Sequence, residues 1–178
     1  MTGFKEWLEG KDTDNMAGFS HVRRMLLGDI DSIDKLAILT AANPQAQMLS
    51  NRENWQLMSS LEADLRQNNY GPIKVSGQYG HKEPSFIVPH MSRDEVINLG
   101  KKYNQESVIY GEKFVNGEGQ TAMRFDLIDC EHNAVISTRC RTLGNDIQNN
   151  IDCFTKVKGR KFNIPFFDNQ YASDSNCI

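Results

Sequence analysis

The chain has 178 residues, with 20 Lys plus Arg against 23 Asp plus Glu, which gives a formal net charge of −3 at pH 7. Hydrophobic residues make up 39% and there are only 5 prolines, so the chain can build one ordinary core. The acidic balance supplies no general attraction for phosphate, which argues against non-specific binding to nucleic acid or anionic membranes. No apolar run approaches the roughly 18–20 residues of a membrane helix, so no membrane partner is expected.

The N-terminal residues carry a small amphipathic pattern. Phe4, Trp7 and Leu8 recur at helical spacing, and we expect them to form an arm that docks on its own domain. Apolar residues then recur at helical spacing over 15–27, which predicts a helix that ends at Gly28. The predicted organisation is an N-terminal arm (1–14), a single α+β domain (15–172) and a frayed tail (173–178).

Strand and helix patterns alternate through the middle of the chain. Two capping-box sequences, Ser50–Glu53 and Ser92–Glu95, predict helix starts. Apolar or alternating segments predict strands at 36–41, 72–79, 85–88 and 107–110, a hairpin of 121–128 with 134–141, and a last strand within 151–162. The βαββαβ order predicts an α+β fold of the ferredoxin-like type, an antiparallel sheet with both helices on one face. The N-terminal helix is an addition to this unit, and the C-terminal β-hairpin is expected to extend the sheet or fold over its open face.

The cysteines give no sign of a metal or a redox motif. Cys130, Cys140, Cys153 and Cys177 have no CxxC spacing, and the histidines have no metal-binding spacing, so no metal and no cofactor are predicted. The chain starts without a long apolar segment, so a cytoplasmic, reducing compartment with free thiols is expected. A Cys130–Cys140 disulfide is the alternative.

The segment Ile38–Gly111 contains four short motifs in a fixed order. They read ILTAANP, LSNRENWQLMSSLEADLR, GQYGHKEPSFIVP and LGKKYNQESVIYGE. This set resembles a family of small domains of unknown function found in proteobacteria and their tailed, T4-type phages, with Tyr103 where the family usually has Phe. The resemblance implies an α+β domain and no established reaction.

The first residues, MTGFKEWL, resemble the short Lys-Glu-aromatic starts of accessory and internal proteins of T4-type phages. Internal proteins of that kind are cut after the sequence Leu/Ile-x-Glu. Neither Phe4-Lys5-Glu6 nor Leu8-Glu9 fits this cleavage sequence. This resemblance, together with the lack of a catalytic signature and an apolar group near the C-terminus, favours a phage-encoded or bacterial accessory protein that binds a host or virion protein, in the host cytoplasm or the virion. Apolar residues near the C-terminus would form the partner patch if they are exposed: Ile164, Pro165, Phe166, Phe167 and Tyr171.

A different class of function is suggested by polar residues around the first strand-to-helix junction. Hydroxyls and amides at this junction can bind a polar ligand near a helix N-terminus, and Gln105 would close the site if its strand lies beside the first. Helix capping and Asx-turn bonds account equally well for residues such as Asn54. The candidate ligand-binding residues are Thr40, Asn43, Asn51, Glu83, Ser85 and Gln105.

Two further interpretations stay open. His81, Glu83, Ser85 and His90 lie around one predicted strand and could activate a hydroxyl, although no G-x-S-x-G turn is present, so the sequence leaves open whether the protein is an enzyme. The basic cluster Lys156–Lys161 could contact nucleic acid, but a solvated strand face is the simpler interpretation.

Overall fold

The computed structural model describes residues 4–5, 7, 19–79, 81–117, 119, 121–142, 153–157 and 160–162. The predicted tail and the C-terminal apolar group lie outside these residues. The described elements are, in chain order, α1 (Phe19–Leu27), β1 (Lys35–Leu39), a 3-10 turn (Pro44–Ala46), α2 (Asn51–Gln67), β2 (Ile73–Tyr79), β3 (His81–Pro89), α3 (Arg93–Lys102), β4 (Ser107–Val115), β5 (Thr121–Asp129), β6 (Val135–Thr142), β7 (Cys153–Val157) and β8 (Arg160–Phe162). The predicted mixed class of helices and sheet is confirmed.

The strands form one antiparallel sheet. Its eight described strands follow the order β6-β5-β4-β1-β3-β2-β7-β8, and every neighbouring pair runs antiparallel. The β5–β6 hairpin continues the sheet beyond β4 and does not fold over its face. The segment 151–162, predicted as one strand, instead contributes two paired strands, β7 and β8.

Local sequence sets the helix ends as predicted. In both capping boxes the serine hydroxyl accepts a bond from the third helical N–H, and the glutamate carboxylate accepts one from the serine N–H. The serine hydroxyls also donate to the same carboxylates. These hydroxyl bonds, together with the serine N–H bonds and, for Glu95, a bond from Tyr70, hold the pKa values of Glu53 and Glu95 below their usual range. The predicted helix at 15–27 is described from 19, and it ends before Gly28, whose φ of 81° few other residues adopt.

Alternation along the strands divides the core into two clusters. One face of the sheet packs against α2 and α3, and its cluster joins the strand residues Leu39, Phe86 and Val108 to the helix residues Met58 and Leu61. The other face packs against α1, and its cluster joins the strand residues Leu36, Ile87 and Ile109 to the helix residues Val22 and Met25. Because β1, β3 and β4 are covered on both faces, they form the rigid centre on which the loops at their ends are built.

Two residues of the N-terminal arm belong to this core. Phe4 and Trp7 are only 2% and 1% exposed. The Trp7 indole N–H donates to the Val75 carbonyl at 2.9 Å, and its ring centroid lies 4.9 Å from that of Phe86. The prediction that the arm docks on its own domain is confirmed for these two residues.

The thiol predictions hold only in part. Cys130 is a buried free thiol, so the alternative Cys130–Cys140 bridge is wrong. Cys140 is disulfide-bonded, so the prediction of a free thiol is wrong there. Burial raises the pKa of Cys130 to about 11.

Across the described part of the chain, none of the helices has the length and apolar character needed to cross a membrane.

Gly100 allows α3 to approach the sheet closely. A Cβ atom built on Gly100 would lie 2.5 Å from the Cys130 Sγ and 2.8 Å from a Val108 methyl group. We expect Gly100→Ala to lower the free energy of unfolding by about 1–2 kcal/mol, because overpacking outweighs the better helix propensity of alanine. Urea denaturation measures this change.

Gly71→Ala is the matched control for this substitution, since a Cβ there meets nothing within 4 Å. We expect it to change stability by less than about 0.5 kcal/mol. Adding Cys130→Ala to Gly100→Ala should recover part of the loss, because it removes the nearest atom. Equal stability of Gly100→Ala and the wild-type protein would contradict this packing.

Candidate functional site

The order of the central strands brings three separate segments together. β1 lies between β3 and β4, with Leu39 opposite Phe86 and Ile38 opposite Ile109. The end of β1 therefore meets the middle of β3 and the start of β4, because both neighbours run antiparallel to it. Thr40, which directly follows β1, sits at this junction.

A cavity of ≈ 240 Å³ opens at this junction, and we call it the strand-end cavity. Its lining residues are Thr40, Asn43, Ala46, Met48, Glu83, Gln105, Glu106 and Ser107. Four of the six predicted ligand-binding residues are among them. The other two are not: Asn51 is the exposed first residue of α2, and Ser85 is half-buried within β3.

Four lining residues were missed by the sequence reasoning. Glu106 and Ser107 directly follow Gln105, which was predicted as a ligand-binding residue. Their position next to it could have indicated that they line the same site. Ala46 and Met48 come from the loop between β1 and α2, where no sequence pattern indicated a function. Met48 is nevertheless distinctive, because 66% of this large apolar side chain is exposed at the cavity.

Asn43 organises one wall of the strand-end cavity. Its Oδ1 accepts from the Leu49 N–H at 3.1 Å and from the Asn54 amide at 2.9 Å. Its own amide donates to the Glu83 Oε1 at 3.3 Å. Asn43 thus fixes the position of a carboxylate that lies 40 residues further along the chain.

The loop from Asn43 to Ala46 has an uncommon backbone. Asn43, Gln45 and Ala46 all have φ values near +50°, in the left-handed region that non-glycine residues rarely adopt. Buried Asn54 supports this shape, because its Oδ1 accepts from the Asn43 N–H at 2.8 Å, and Gln45 N–H donates to the Asn104 carbonyl. Such conformations persist where surrounding bonds impose them.

Thr40 uses its hydroxyl within the fold. It donates to the Pro84 carbonyl at 2.7 Å and accepts from the Ala42 N–H at 3.0 Å. Because both bonds are made within the fold, Thr40 shapes the cavity wall and does not offer its hydroxyl proton to a ligand.

Gln105 is the most buried polar side chain of the lining, at 9% exposed. Its amide nitrogen donates to the Ala42 and Tyr103 carbonyls at 3.1 and 3.4 Å. Because both neighbours are acceptors, they fix which end of the amide is nitrogen. The remaining atom, Oε1, receives no hydrogen bond from any residue that the structure describes, and a buried acceptor of this kind normally has a partner.

The predicted His–Glu–Ser set does not assemble with His90. That histidine follows the opposite end of β3, seven residues and about 23 Å of extended chain from Glu83. The His81 side chain lies outside the described residues. Among the described side chains, no group of three or more His, Cys, Asp or Glu could hold a metal ion.

A second groove, of ≈ 180 Å³, lies between α2 and α3. Its ionisable side chains are paired with one another or with neighbours: Asp64 accepts from Lys102 and Tyr103, and Tyr70 bonds to Glu95. The two bonds to Asp64 lower its pKa, and burial with the Glu95 contact raises the pKa of Tyr70 to about 12. These pairs link the two helices and account for the groove in structural terms.

Comparison with known proteins finds a match to a protein family. No curated protein matches the chain. Residues 39–108 match a protein family described as "Protein of unknown function (DUF3293)". The predicted resemblance to a domain of unknown function is confirmed over this segment, while its occurrence in proteobacteria and phages stays a prediction. All eight lining residues of the strand-end cavity lie within the segment that is similar to DUF3293.

Proposed function

We propose that the protein binds a small polar molecule in the strand-end cavity. The observation that carries this proposal is the convergence of Thr40, Asn43, Glu83 and Gln105, from three segments of the chain, on one cavity. Its volume of ≈ 240 Å³ is below the roughly 300–1,000 Å³ of pockets that hold drug-sized ligands, so the ligand is small.

The framework around the cavity supports the same function. A ligand site gains affinity when its polar groups are held in place before binding. Here Asn43 holds Glu83 and is itself held by Asn54, and the buried amide of Gln105 is anchored at its nitrogen. These groups would lose little conformational freedom when a ligand binds.

A thermal-shift screen of the purified chain against small metabolites tests the proposal. A ligand at 100 times its dissociation constant adds about 2.7 kcal/mol, enough to raise the Tm by several degrees. We expect Glu83→Gln to reduce this shift. The matched control is Glu131→Gln, an exposed carboxylate outside the cavity lining. A broad panel without any hit, or a shift that both variants retain, would contradict a site in this cavity.

We propose for the fold a ferredoxin-like central unit. The order β4-β1-β3-β2 at the centre of the sheet supports this assignment. The packing of α2 and α3 side chains in one core cluster supports the placement of both helices on the same face. α1, the β5–β6 hairpin and the β7–β8 pair would then be additions to that unit.

Our second proposal is that the protein binds a host or virion protein. This is the role that the sequence favours, that of a phage or bacterial accessory protein. Its support is β6, which is the last strand at one end of the sheet among the described residues, with Val135 and Ile136 44% and 58% exposed. Edge strands with apolar side chains can pair with an extended segment of another protein. Pull-downs with wild-type and Ile136→Lys protein test this: a partner captured equally by both would not bind at β6.

Nucleic-acid contact through 156–161 stays a prediction. The structure describes the backbone of β7 and β8 in this region, while residues 158–159 and the side chains lie outside the described residues. Retention of DNA or RNA at about 50 mM salt, lost as salt rises, would support the contact. No retention under those conditions would remove it.

A further inference from the structure

We infer that the strand-end cavity takes a small organic cation that carries N–H donors, an alkylammonium or alkylguanidinium. This inference rests on the proposed function and narrows its ligand class. Three observations support it: an acceptor left without a described donor, two carboxylates, and an exposed apolar side chain at the cavity.

The first observation is the buried amide oxygen of Gln105. Its amide nitrogen is committed to the Ala42 and Tyr103 carbonyls, so the group cannot turn over to present a donor without breaking both bonds. The side chain can therefore offer a ligand only its acceptor, Oε1. A ligand N–H at this point would satisfy an atom that the described residues leave without a donor.

The second observation is the charge of the lining. Glu83 and Glu106 are both lining residues, and none of the eight is Lys, Arg or His. Among these eight residues an anionic ligand would meet two carboxylates and no cationic side chain, whereas an ammonium or guanidinium group could donate charge-assisted bonds to the carboxylates. Since the described side chains form no cluster that could hold a metal ion, an organic cation fits better than a divalent one.

The third observation concerns the rest of the ligand. Met48, exposed by 66%, and Ala46 line the same cavity from the loop after β1. A short alkyl chain attached to the cationic group would contact the flexible, polarisable Met48 side chain and remove apolar surface from water. This geometry favours an alkyl amine or guanidine over ammonium alone.

Titrations of the full chain with matched four-carbon probes, followed by two-dimensional NMR, test the inference. The probes are n-butylammonium and n-butylguanidinium, compared with n-butanol, n-butyrate and n-butyltrimethylammonium. We expect the first two to bind at least about tenfold more tightly, because only they combine positive charge with N–H donors. Their shifts should be confined to the residues around the cavity.

Variants separate the inference from the proposed function. Glu106→Gln and Glu83→Gln should each weaken n-butylammonium binding several-fold, whereas Glu131→Gln should leave that binding unchanged. Glu106 is exposed, so its substitution should not disturb folding. Tighter binding of n-butyrate or n-butanol at the cavity would overturn the cation inference and leave the proposed function intact. If none of the five probes binds but a metabolite of another class binds in the strand-end cavity, the cation inference is again overturned and the proposed function is left intact. Absence of any ligand would overturn both.

Discussion

Trp7→Ala is expected to lower the free energy of unfolding by about 3–5 kcal/mol, the range found when a buried tryptophan is truncated in a core. Trp7 is 1% exposed and contacts Phe86 and Trp55 through its ring. Its indole N–H also satisfies the Val75 carbonyl. The substitution therefore leaves a cavity and removes a buried hydrogen bond in one step. Chemical denaturation monitored by circular dichroism measures the loss.

Two variants distinguish the contributions of ring and hydrogen bond. Trp7→Phe keeps an aromatic ring but removes the donor to Val75, so it should cost less than Trp7→Ala. Lys5→Ala changes an exposed residue of the same segment and should alter stability by less than about 0.5 kcal/mol. If Trp7→Ala were as stable as Lys5→Ala, the docked arm would contribute nothing to the fold.

Asn54→Ala should cost about 2–3 kcal/mol, because a buried amide with partners on both of its polar atoms disappears. Asn54 is 6% exposed. Its oxygen accepts from the Asn43 N–H, and its nitrogen donates to the Asn43 side chain at 2.9 Å and to the Leu49 carbonyl at 3.4 Å. Without it, the loop that forms one wall of the strand-end cavity loses its link to α2. Equilibrium denaturation gives the magnitude.

The matched control for Asn54 is Asn51→Ala, which changes the exposed first residue of the same helix. It should stay within about 0.5 kcal/mol of the wild-type protein. Ligand binding at the cavity, once a ligand is known, should follow the same order: weakened in Asn54→Ala and unchanged in Asn51→Ala. Equal effects of the two substitutions would show that the loop does not depend on α2.

Features that depend on neighbours in sequence were predictable. A capping box uses groups three residues apart, so Ser50 and Ser92 marked the helix starts without knowledge of the fold. Asn54 was also within reach, since it continues the buried spacing of Met58, Leu61 and Leu65 along α2. Apolar spacing alone does not identify Asn54, because a polar residue on an apolar face carries no hydrophobic signal.

Which polar residues meet was decided by the tertiary structure. Gln105 reaches the cavity because β4 pairs with β1, and Glu83 does so because β3 pairs with β1 on the other side. Ser85, two residues from Glu83 along the same strand, is not in the lining, and neither is Asn51. The helix starts and most of the strands could be predicted from sequence, because they depend on local bonding and on the alternation of apolar residues. Only the pairing of strands distant in sequence could select the cavity residues, because that pairing fixes the distances between side chains that no local pattern encodes.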